Sequence, residues 1–209
     1  MNYFPLLMNL DYKKVVIVGG GHVARQKAEA LLPTKAQVTV ISPTVTEKLL
    51  HYINEGYLTW KEKSFEPADL DDAALIFAVT NEEEVNNAVE EAAQHWQLLS
   101  RADAKGRVDF INPAVVRRGE FVLTVSTSGA SPGLTRKVKS ELAEQYGEHY
   151  EQYVSFLKDA RQQILKKFTG DEKKQLLAEL LDPQVLEWME QGNVQKCEAW
   201  LHQRIGEEQ

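Results

Sequence analysis

A glycine-rich segment near the start of the chain has the residue types and spacing needed to bind a dinucleotide. Residues 19–24 fit the pattern G-x-G-x-x-A, directly after an apolar run and before an amphipathic stretch. Gly19 permits a tight turn, Gly21 lets the backbone approach a pyrophosphate, and Ala24 allows a helix to pack closely against a strand. The N–H groups of a helix that begins with His22 and Val23 would bind the diphosphate.

Three polar residues at later strand ends could complete this cofactor site. The acidic residue that binds the adenosine ribose is expected about 20 residues after the glycines, but that position holds Ser42, whose hydroxyl can also bond a ribose. Because no arginine lies beside Ser42 to hold a 2′-phosphate, we predict NAD as the cofactor. Thr80 and Asn81 follow a core strand at the edge where such sheets bind ligands. Capping of the next helix is the alternative role for both residues.

Charge is distributed unevenly along the chain. The net charge is −7, yet residues 101–139 carry eight basic and three acidic side chains. Such a segment is either a solvated basic surface or a site for a polyanionic ligand, and composition leaves both open. Asp103 lies in this segment just after a strand candidate, where neighbouring positive charge favours the carboxylate. Asp103 is therefore either a turn residue or a weak general base, and Asp109 is the other carboxylate in reach.

A loop over residues 126–132 is rich in hydroxyls and small side chains and precedes a helix that carries Arg136. The hydroxyls of Ser128 and Ser131, together with backbone N–H groups, could bind carboxylates or phosphates. An ordinary strand-to-helix turn is the alternative, with Ser131 as the N-cap and Pro132 at the first helical position. The two roles are compatible.

Alternating strands and helices must position these residues. Apolar runs predict strands near 13–18, 37–41, 58–60, 74–79 and 98–99, with residues 110–111 a further candidate, and helical spacing predicts helices over 22–32, 46–52 and 82–96. Asn81 is a plausible N-cap of the third helix. The alternation indicates the α/β class, with a Rossmann-type doubly wound parallel sheet. The predicted domains are an NAD-binding domain over 1–112, a small α+β element over 113–146 and a helical C-terminal domain over 147–209.

The composition excludes several classes of protein. The acidic net charge argues against nucleic-acid binding, and the apolar runs are too short to span a membrane. No secretory signal precedes the first strand, and the single cysteine, Cys197, cannot form an internal disulfide. The five histidines lack metal-ligand spacing, so no metal site is predicted. We expect a soluble, cytoplasmic protein.

Several segments share their order and spacing with one family. They are residues 4–6 (FPL), 16–27 (VIVGGGHVARQK), 40–43 (VISP), 78–81 (AVTN), 85–86 (VN), 109–114 (DFINPA) and 126–132 (STSGASP). Together they resemble the amino-terminal part of the siroheme synthases. Members of this family are precorrin-2 dehydrogenases, some of which also insert iron into sirohydrochlorin.

The resemblance implies NAD-dependent oxidation of precorrin-2 to sirohydrochlorin by a homodimer formed through the 113–146 element. The substrate carries eight carboxylates, which suits the basic segment. The family's key aspartate lies in an N-V-x-D segment. Residues 100–103 read SRAD here, so the aspartate of the family pattern is present as Asp103, whereas the first two residues of the pattern differ. Asp103 thereby becomes the catalytic candidate, and the residues implied to bind substrate carboxylates are Arg117, Arg118, Ser128, Ser131 and Arg136.

Three alternatives stay open. The first is a bifunctional enzyme that is also the sirohydrochlorin ferrochelatase. The other two belong to a different class, a non-catalytic NAD-sensing module or a tetrapyrrole carrier. A sensor has no need for Arg117, Arg118 and Arg136 near a hydroxyl-rich loop, and a carrier has no need for the glycine-rich turn.

Overall fold

The computed structural model describes residues 3–103 and 105–206. The chain forms two compact units that divide between Asn112 and Pro113. Within the described residues, no helix is both long enough and apolar enough to cross a membrane.

A parallel sheet forms the centre of the first unit. Its strands are β1 (Lys14–Val18), β2 (Gln37–Ile41), β3 (Thr59–Lys61), β4 (Ala73–Ala78) and β5 (Leu98–Arg101). The helices are α1 (His22–Leu31), α2 (Glu47–Asn54) and α3 (Glu83–Ala92), and a short 3-10 helix spans Pro67–Leu70. The strand order is β3-β2-β1-β4-β5. Because the order reverses between β1 and β4, their carboxyl ends form the crevice where open α/β sheets bind ligands.

Alternate side chains of β1 face two different helix layers. Val15 and Ile17 belong to the cluster that contains residues of α1 and α2, whereas Val16 and Val18 belong to the cluster that contains Val89 of α3. Burial of each such side chain contributes about 1.5–3 kcal/mol. A strand that is apolar on both faces is stable only between two layers. The predicted doubly wound α/β class is confirmed.

The second unit consists of a hairpin followed by helices. Strand β6 (Ala114–Arg118) pairs antiparallel with β7 (Phe121–Val125), and the turn contains Gly119 with φ of +55°. The helices are α4 (Pro132–Gln145), α5 (His149–Lys167), α6 (Gly170–Glu179), α7 (Pro183–Glu190) and α8 (Val194–Ile205). Side chains from α5 to α8, such as Phe156, Val185 and Leu201, form one buried cluster.

The strand candidate at residues 110–111 is wrong. Phe110 lies in an irregular segment, and its ring packs edge-on against Phe77 with the centroids 5.3 Å apart. Phe110 therefore covers the sheet instead of extending it. Strand β6, which the sequence pattern did not indicate, begins only at Ala114.

The predicted bounds of α3 also differ from the structure. The helix begins at Glu83 with Glu82, not Asn81, at the N-cap. It ends at Ala92 instead of Trp96, because the buried Gln97 side chain organises the turn that follows. The Gln97 amide oxygen accepts a hydrogen bond from the Gln94 N–H at 2.8 Å, and the amide nitrogen donates to two backbone carbonyls.

Candidate active site

The glycine-rich turn joins β1 to α1 beside the end of β4. Gly19 has φ of +123°, and a Cβ built on it would lie 2.8 Å from the carbonyl oxygen of Val79. Only glycine combines this backbone conformation with so close an approach. Gly19 therefore brings the end of β1 directly against the end of β4.

Gly21 lies on the open side of the same turn. It is the N-cap of α1, and no atom of the described residues lies within 4 Å of a Cβ built on it. The N–H groups of His22, Val23 and Ala24 have no acceptor within the helix, and the first turn carries no acidic side chain. Open space at the positive end of a helix suits a pyrophosphate. These residues fit the predicted dinucleotide.

Ser42 lies next to this turn, at the carboxyl end of β2. Its Oγ is 2.9 Å from the position of a Cβ built on Gly20. Its backbone carbonyl accepts a hydrogen bond from Trp60 Nε1 at 2.9 Å, which fixes the strand end. This is the position from which a side chain reaches the adenosine ribose in such sheets, and the residue there is a hydroxyl donor instead of a carboxylate.

The turn after β4, which contains Thr80 and Asn81, is held by a buried asparagine. Asn86 of α3 is 1% exposed. Its Oδ1 accepts a hydrogen bond from the Thr80 N–H at 3.2 Å and lies 2.9 Å from the Thr80 hydroxyl. Its Nδ2 donates to the Thr80 carbonyl oxygen at 3.1 Å. Thr80 is thus fixed beside Gly19, while the Asn81 side chain is exposed.

The carboxylate of Asp103 accepts four hydrogen bonds. Arg101 donates from Nε to Oδ1 at 3.0 Å and from Nη2 to Oδ2 at 2.8 Å. The Lys105 N–H donates to Oδ1 at 3.3 Å, and Asn86 Nδ2 donates to Oδ2 at 3.2 Å. The same asparagine therefore contacts both the Thr80 turn and Asp103.

Arg101 joins Asp103 to a second carboxylate. Its side chain is almost fully buried, and Nη1 donates to Glu90 Oε2 at 2.6 Å and to Asn87 Oδ1 at 2.9 Å. Hydrogen bonds from Arg101 hold the pKa of Asp103 well below its usual range and also lower the pKa of Glu90. Asp103 is consequently a fixed negative charge and a weak proton acceptor.

Much of the basic charge of residues 101–107 is paired within the first unit. Arg107 Nε donates to Asp109 Oδ1 at 3.0 Å, and Lys105 Nζ lies 2.7 Å from Glu83 Oε2. Asp109 Oδ2 accepts a hydrogen bond from the Leu99 N–H at 2.8 Å, so this carboxylate fixes the chain next to β5. Within residues 3–103 and 105–206, no group of three or more His, Cys, Asp or Glu side chains is placed to hold a metal ion.

The two predicted arginines of β6 have different surroundings. Arg117 is exposed, on the face of the hairpin opposite the buried Val116. Arg118 donates from Nε to the Tyr146 carbonyl and from Nη2 to the Ala143 carbonyl, each at 3.1 Å. These are carbonyls at the end of α4, so Arg118 caps that helix, and its contact with substrate carboxylates stays a prediction.

The hydroxyl-rich loop leads into α4 as an N-terminal cap. Ser131 Oγ accepts a hydrogen bond from the Leu134 N–H at 3.3 Å, and Pro132 is the first residue of the helix. The capping role proposed for Ser131 is therefore present. Ser128 is exposed with φ of +52°, and Arg136 is exposed on the first turns of α4.

The first unit thus brings the glycine-rich turn, Ser42, Thr80 and Asp103 to the carboxyl edge of one sheet. Sequence reasoning missed Asn86 and Glu90 as members of this site, and it included Arg101 only as part of the positive charge around Asp103. Asn86 belongs to one of the segments that carry the family resemblance, which was the available signal. Nothing in the local pattern connects Glu90 with Arg101, because the two residues meet only after α3 packs against β5.

The chain is similar to known proteins over most of its length. Residues 6–114 match a family model described as "Putative NAD(P)-binding". A precorrin-2 dehydrogenase of Priestia megaterium is 32% identical over 182 residues, which cover 87% of this chain and 90% of that protein. A siroheme synthase of Nitrosospira multiformis is 30% identical over 214 residues, which cover all of this chain and 45% of that protein.

A solved structure described as "SirC, precorrin-2 dehydrogenase" superposes with a TM-score of 0.79 at 30% identity, over 94% of this chain and all of that one. The chain spans less than half the length of the siroheme synthases that it matches. The sheet and the glycine-rich turn define a protein of the NAD(P)-binding α/β class. Within that class, the chain belongs to the family of precorrin-2 dehydrogenases and siroheme synthases, and the predicted family is confirmed.

Proposed function

We propose that this protein is a precorrin-2 dehydrogenase that oxidises precorrin-2 to sirohydrochlorin with NAD⁺. One observation carries the proposal. A glycine-rich turn that fits a dinucleotide shares its sheet edge with Asp103, in a chain that aligns with 90% of a precorrin-2 dehydrogenase.

The reaction removes a hydride and a proton from precorrin-2. NAD⁺, when bound, supplies the hydride acceptor. The N–H groups of His22, Val23 and Ala24 would hold its pyrophosphate, and the Ser42 hydroxyl would hold its adenosine ribose. The Thr80–Asn81 turn, which follows β4, would contact its nicotinamide end. Orientation of two reactants in this crevice is the protein's main contribution to the rate.

Asp103 is the proposed catalytic residue. Departure of a hydride leaves positive charge on the tetrapyrrole, and a carboxylate already fixed in place stabilises that charge without reorganisation. Because Arg101 keeps the pKa of Asp103 low, electrostatic stabilisation is a larger part of its role than proton abstraction. Loss of the proton then completes the oxidation.

Exposed cationic and hydroxyl groups of the second unit are proposed to bind the substrate carboxylates. Arg117 and Arg136 are exposed and able to form charge-assisted hydrogen bonds. Ser128 and Ser131 lie in the loop that precedes α4. A homodimer, a cytoplasmic location and the lack of a nucleic-acid partner also belong to this proposal.

Anaerobic turnover tests the proposal. Purified protein is incubated with enzymatically generated precorrin-2 and NAD⁺, NADP⁺ or no nucleotide, and sirohydrochlorin is followed by absorbance. We expect product with NAD⁺ and no product without a nucleotide. A further arm with ferrous ion measures metal insertion against a protein-free control. Absence of NAD⁺-dependent product, beside an active related enzyme, would overturn the proposal.

A further inference from the structure

One buried side chain forms hydrogen bonds with both the Thr80 turn and the Asp103 carboxylate. We infer that Asn86 is a positioning residue that couples the cofactor turn at Thr80 to the carboxylate of Asp103. The inference rests on the proposed function, because it concerns how the cofactor turn and the catalytic carboxylate of that function are positioned relative to each other.

The Asn86 amide uses its donors and its acceptor in this role. Its oxygen faces the N–H and hydroxyl of Thr80, at 3.2 and 2.9 Å. Its nitrogen donates to the Thr80 carbonyl at 3.1 Å and to Asp103 Oδ2 at 3.2 Å. An amide group is planar and has two N–H donors, so one rigid group sets the separation between the turn and the carboxylate.

The surroundings prevent this group from relaxing. Asn86 is buried on α3, one turn from Val89, which is fully buried against the sheet. Arg101 holds Asp103 from the other side through two hydrogen bonds. The carboxylate therefore cannot move relative to Thr80 without breaking a partly buried hydrogen bond. A displacement of about 1 Å can lower a rate roughly 100-fold.

A purely structural role is the competing explanation, and Gln97 provides the matched control. Its amide is also 1% exposed and donates to the carbonyls of Leu70 and Ala73 at 2.7 and 2.9 Å. Gln97 precedes β5, whereas Asp103 follows it, so this second buried amide lies at the opposite end of the strand from the proposed site.

The test compares Asn86→Ser with Gln97→Met in the full chain. The measurements are the melting temperature, the NAD⁺ dissociation constant by calorimetry, and kcat and KM for precorrin-2. Both variants lower the melting temperature, because each leaves buried backbone groups unpaired. For Asn86→Ser we expect about a fivefold weaker NAD⁺ affinity and about a tenfold lower kcat, with KM for precorrin-2 within about twofold. Gln97→Met should keep both constants within about twofold of the wild type.

Two results would overturn the inference. The first is an Asn86→Ser variant whose NAD⁺ affinity and kcat equal those of the wild type. The second is a Gln97→Met variant that loses as much NAD⁺ affinity and kcat as Asn86→Ser does. If Asn86→Ser fails to fold, Asn86→Asp replaces it, because it keeps the size and the acceptor oxygen but loses both donors. If the wild type binds NAD⁺ and leaves precorrin-2 unchanged, the proposed function fails, and the NAD⁺ affinities of the variants still decide this inference.

Discussion

Alanine substitutions at Gly19 and Gly21 should have opposite consequences, although the two residues lie in one turn. At Gly19 the new Cβ would lie 2.8 Å from the Val79 oxygen and 3.0 Å from the Val79 carbonyl carbon, with φ at +123°. β1 and β4 are paired in the sheet, so neither backbone can withdraw without loss of hydrogen bonds.

The expected loss of stability follows from two effects at Gly19. The unfavourable backbone conformation costs about 1–3 kcal/mol, and the steric overlap costs about 1–3 kcal/mol. A gain of about 0.4–1 kcal/mol from the restricted unfolded chain offsets part of this. We expect Gly19→Ala to lower the free energy of unfolding by about 1–5 kcal/mol, and the central value of about 3 kcal/mol lowers the melting temperature by about 6–12 °C.

At Gly21 the same methyl group enters open space, and the backbone conformation is one that alanine adopts. The melting temperature of Gly21→Ala should stay within about 2 °C of the wild type, because a surface change away from packed atoms alters stability by about 0.5 kcal/mol. The methyl group nevertheless occupies the space proposed for the pyrophosphate. We expect the NAD⁺ dissociation constant to rise at least about tenfold, which corresponds to about 1.4 kcal/mol.

Differential scanning calorimetry and isothermal titration with NAD⁺ measure these two quantities on the same preparations. Gly19→Ala with an unchanged melting temperature would refute the packing argument. Gly21→Ala with wild-type NAD⁺ affinity would refute the assignment of the turn to the pyrophosphate, and Gly21→Asp, which adds negative charge at the same point, provides the stronger form of the test.

Three further predictions follow from the carboxylate network and the hairpin. Asp103→Ala removes the charge beside the substrate together with the hydrogen bonds that the carboxylate accepts from Arg101 and Asn86. It should lower kcat at least about tenfold in the turnover assay. NAD⁺ affinity should stay within about twofold, because Asn86 still bonds the Thr80 turn; near-normal kcat would exclude a catalytic role. The pKa of Asp103 and of Glu90 is lowered in the folded state, so their contribution to stability is complete above about pH 4 and is lost as the pH falls below it. The melting temperature of Arg101→Met should therefore be lower at pH 7 and fall less between pH 7 and pH 3 than that of the wild type, and parallel profiles would contradict this. Arg118→Leu should destabilise the protein by about 2 kcal/mol through loss of helix capping. Arg117→Leu should instead raise KM for precorrin-2, with the free energy of unfolding unchanged within about 0.5 kcal/mol. Thermal unfolding and steady-state kinetics measure these effects, and equal destabilisation by the two substitutions would refute the distinction.

The fold could be predicted because its determinants are local in the sequence. Residues 15–18 are apolar and buried on both faces, and the glycine-rich turn follows them directly. The strand, the turn and the next helix are therefore specified by neighbouring stretches of sequence. The break in pattern near Pro113 lies at the division between the two compact units.

The direction in which the pKa of Asp103 shifts follows from the positive charge near it in the sequence, but the contacts that cause the shift could not be predicted. The hydrogen bonds to Asp103 depend on the direction of the Arg101 side chain at the end of β5. They also depend on the packing of α3, which brings Asn86 to Asp103 and Glu90 to Arg101. Such contacts arise from packing and leave no periodic signal. For the same reason the basic segment was interpreted as one feature, whereas the structure pairs Arg107 with Asp109 and uses Arg118 to cap α4.

The most direct test of the central claim is the ratio of NADH formed to sirohydrochlorin formed in an anaerobic reaction with enzyme in excess over precorrin-2. The account predicts one NADH for each sirohydrochlorin with the wild-type protein, and neither product with Gly21→Asp. Sirohydrochlorin that forms without NADH, or equal amounts of both products from Gly21→Asp, would contradict hydride transfer to a dinucleotide bound at this turn.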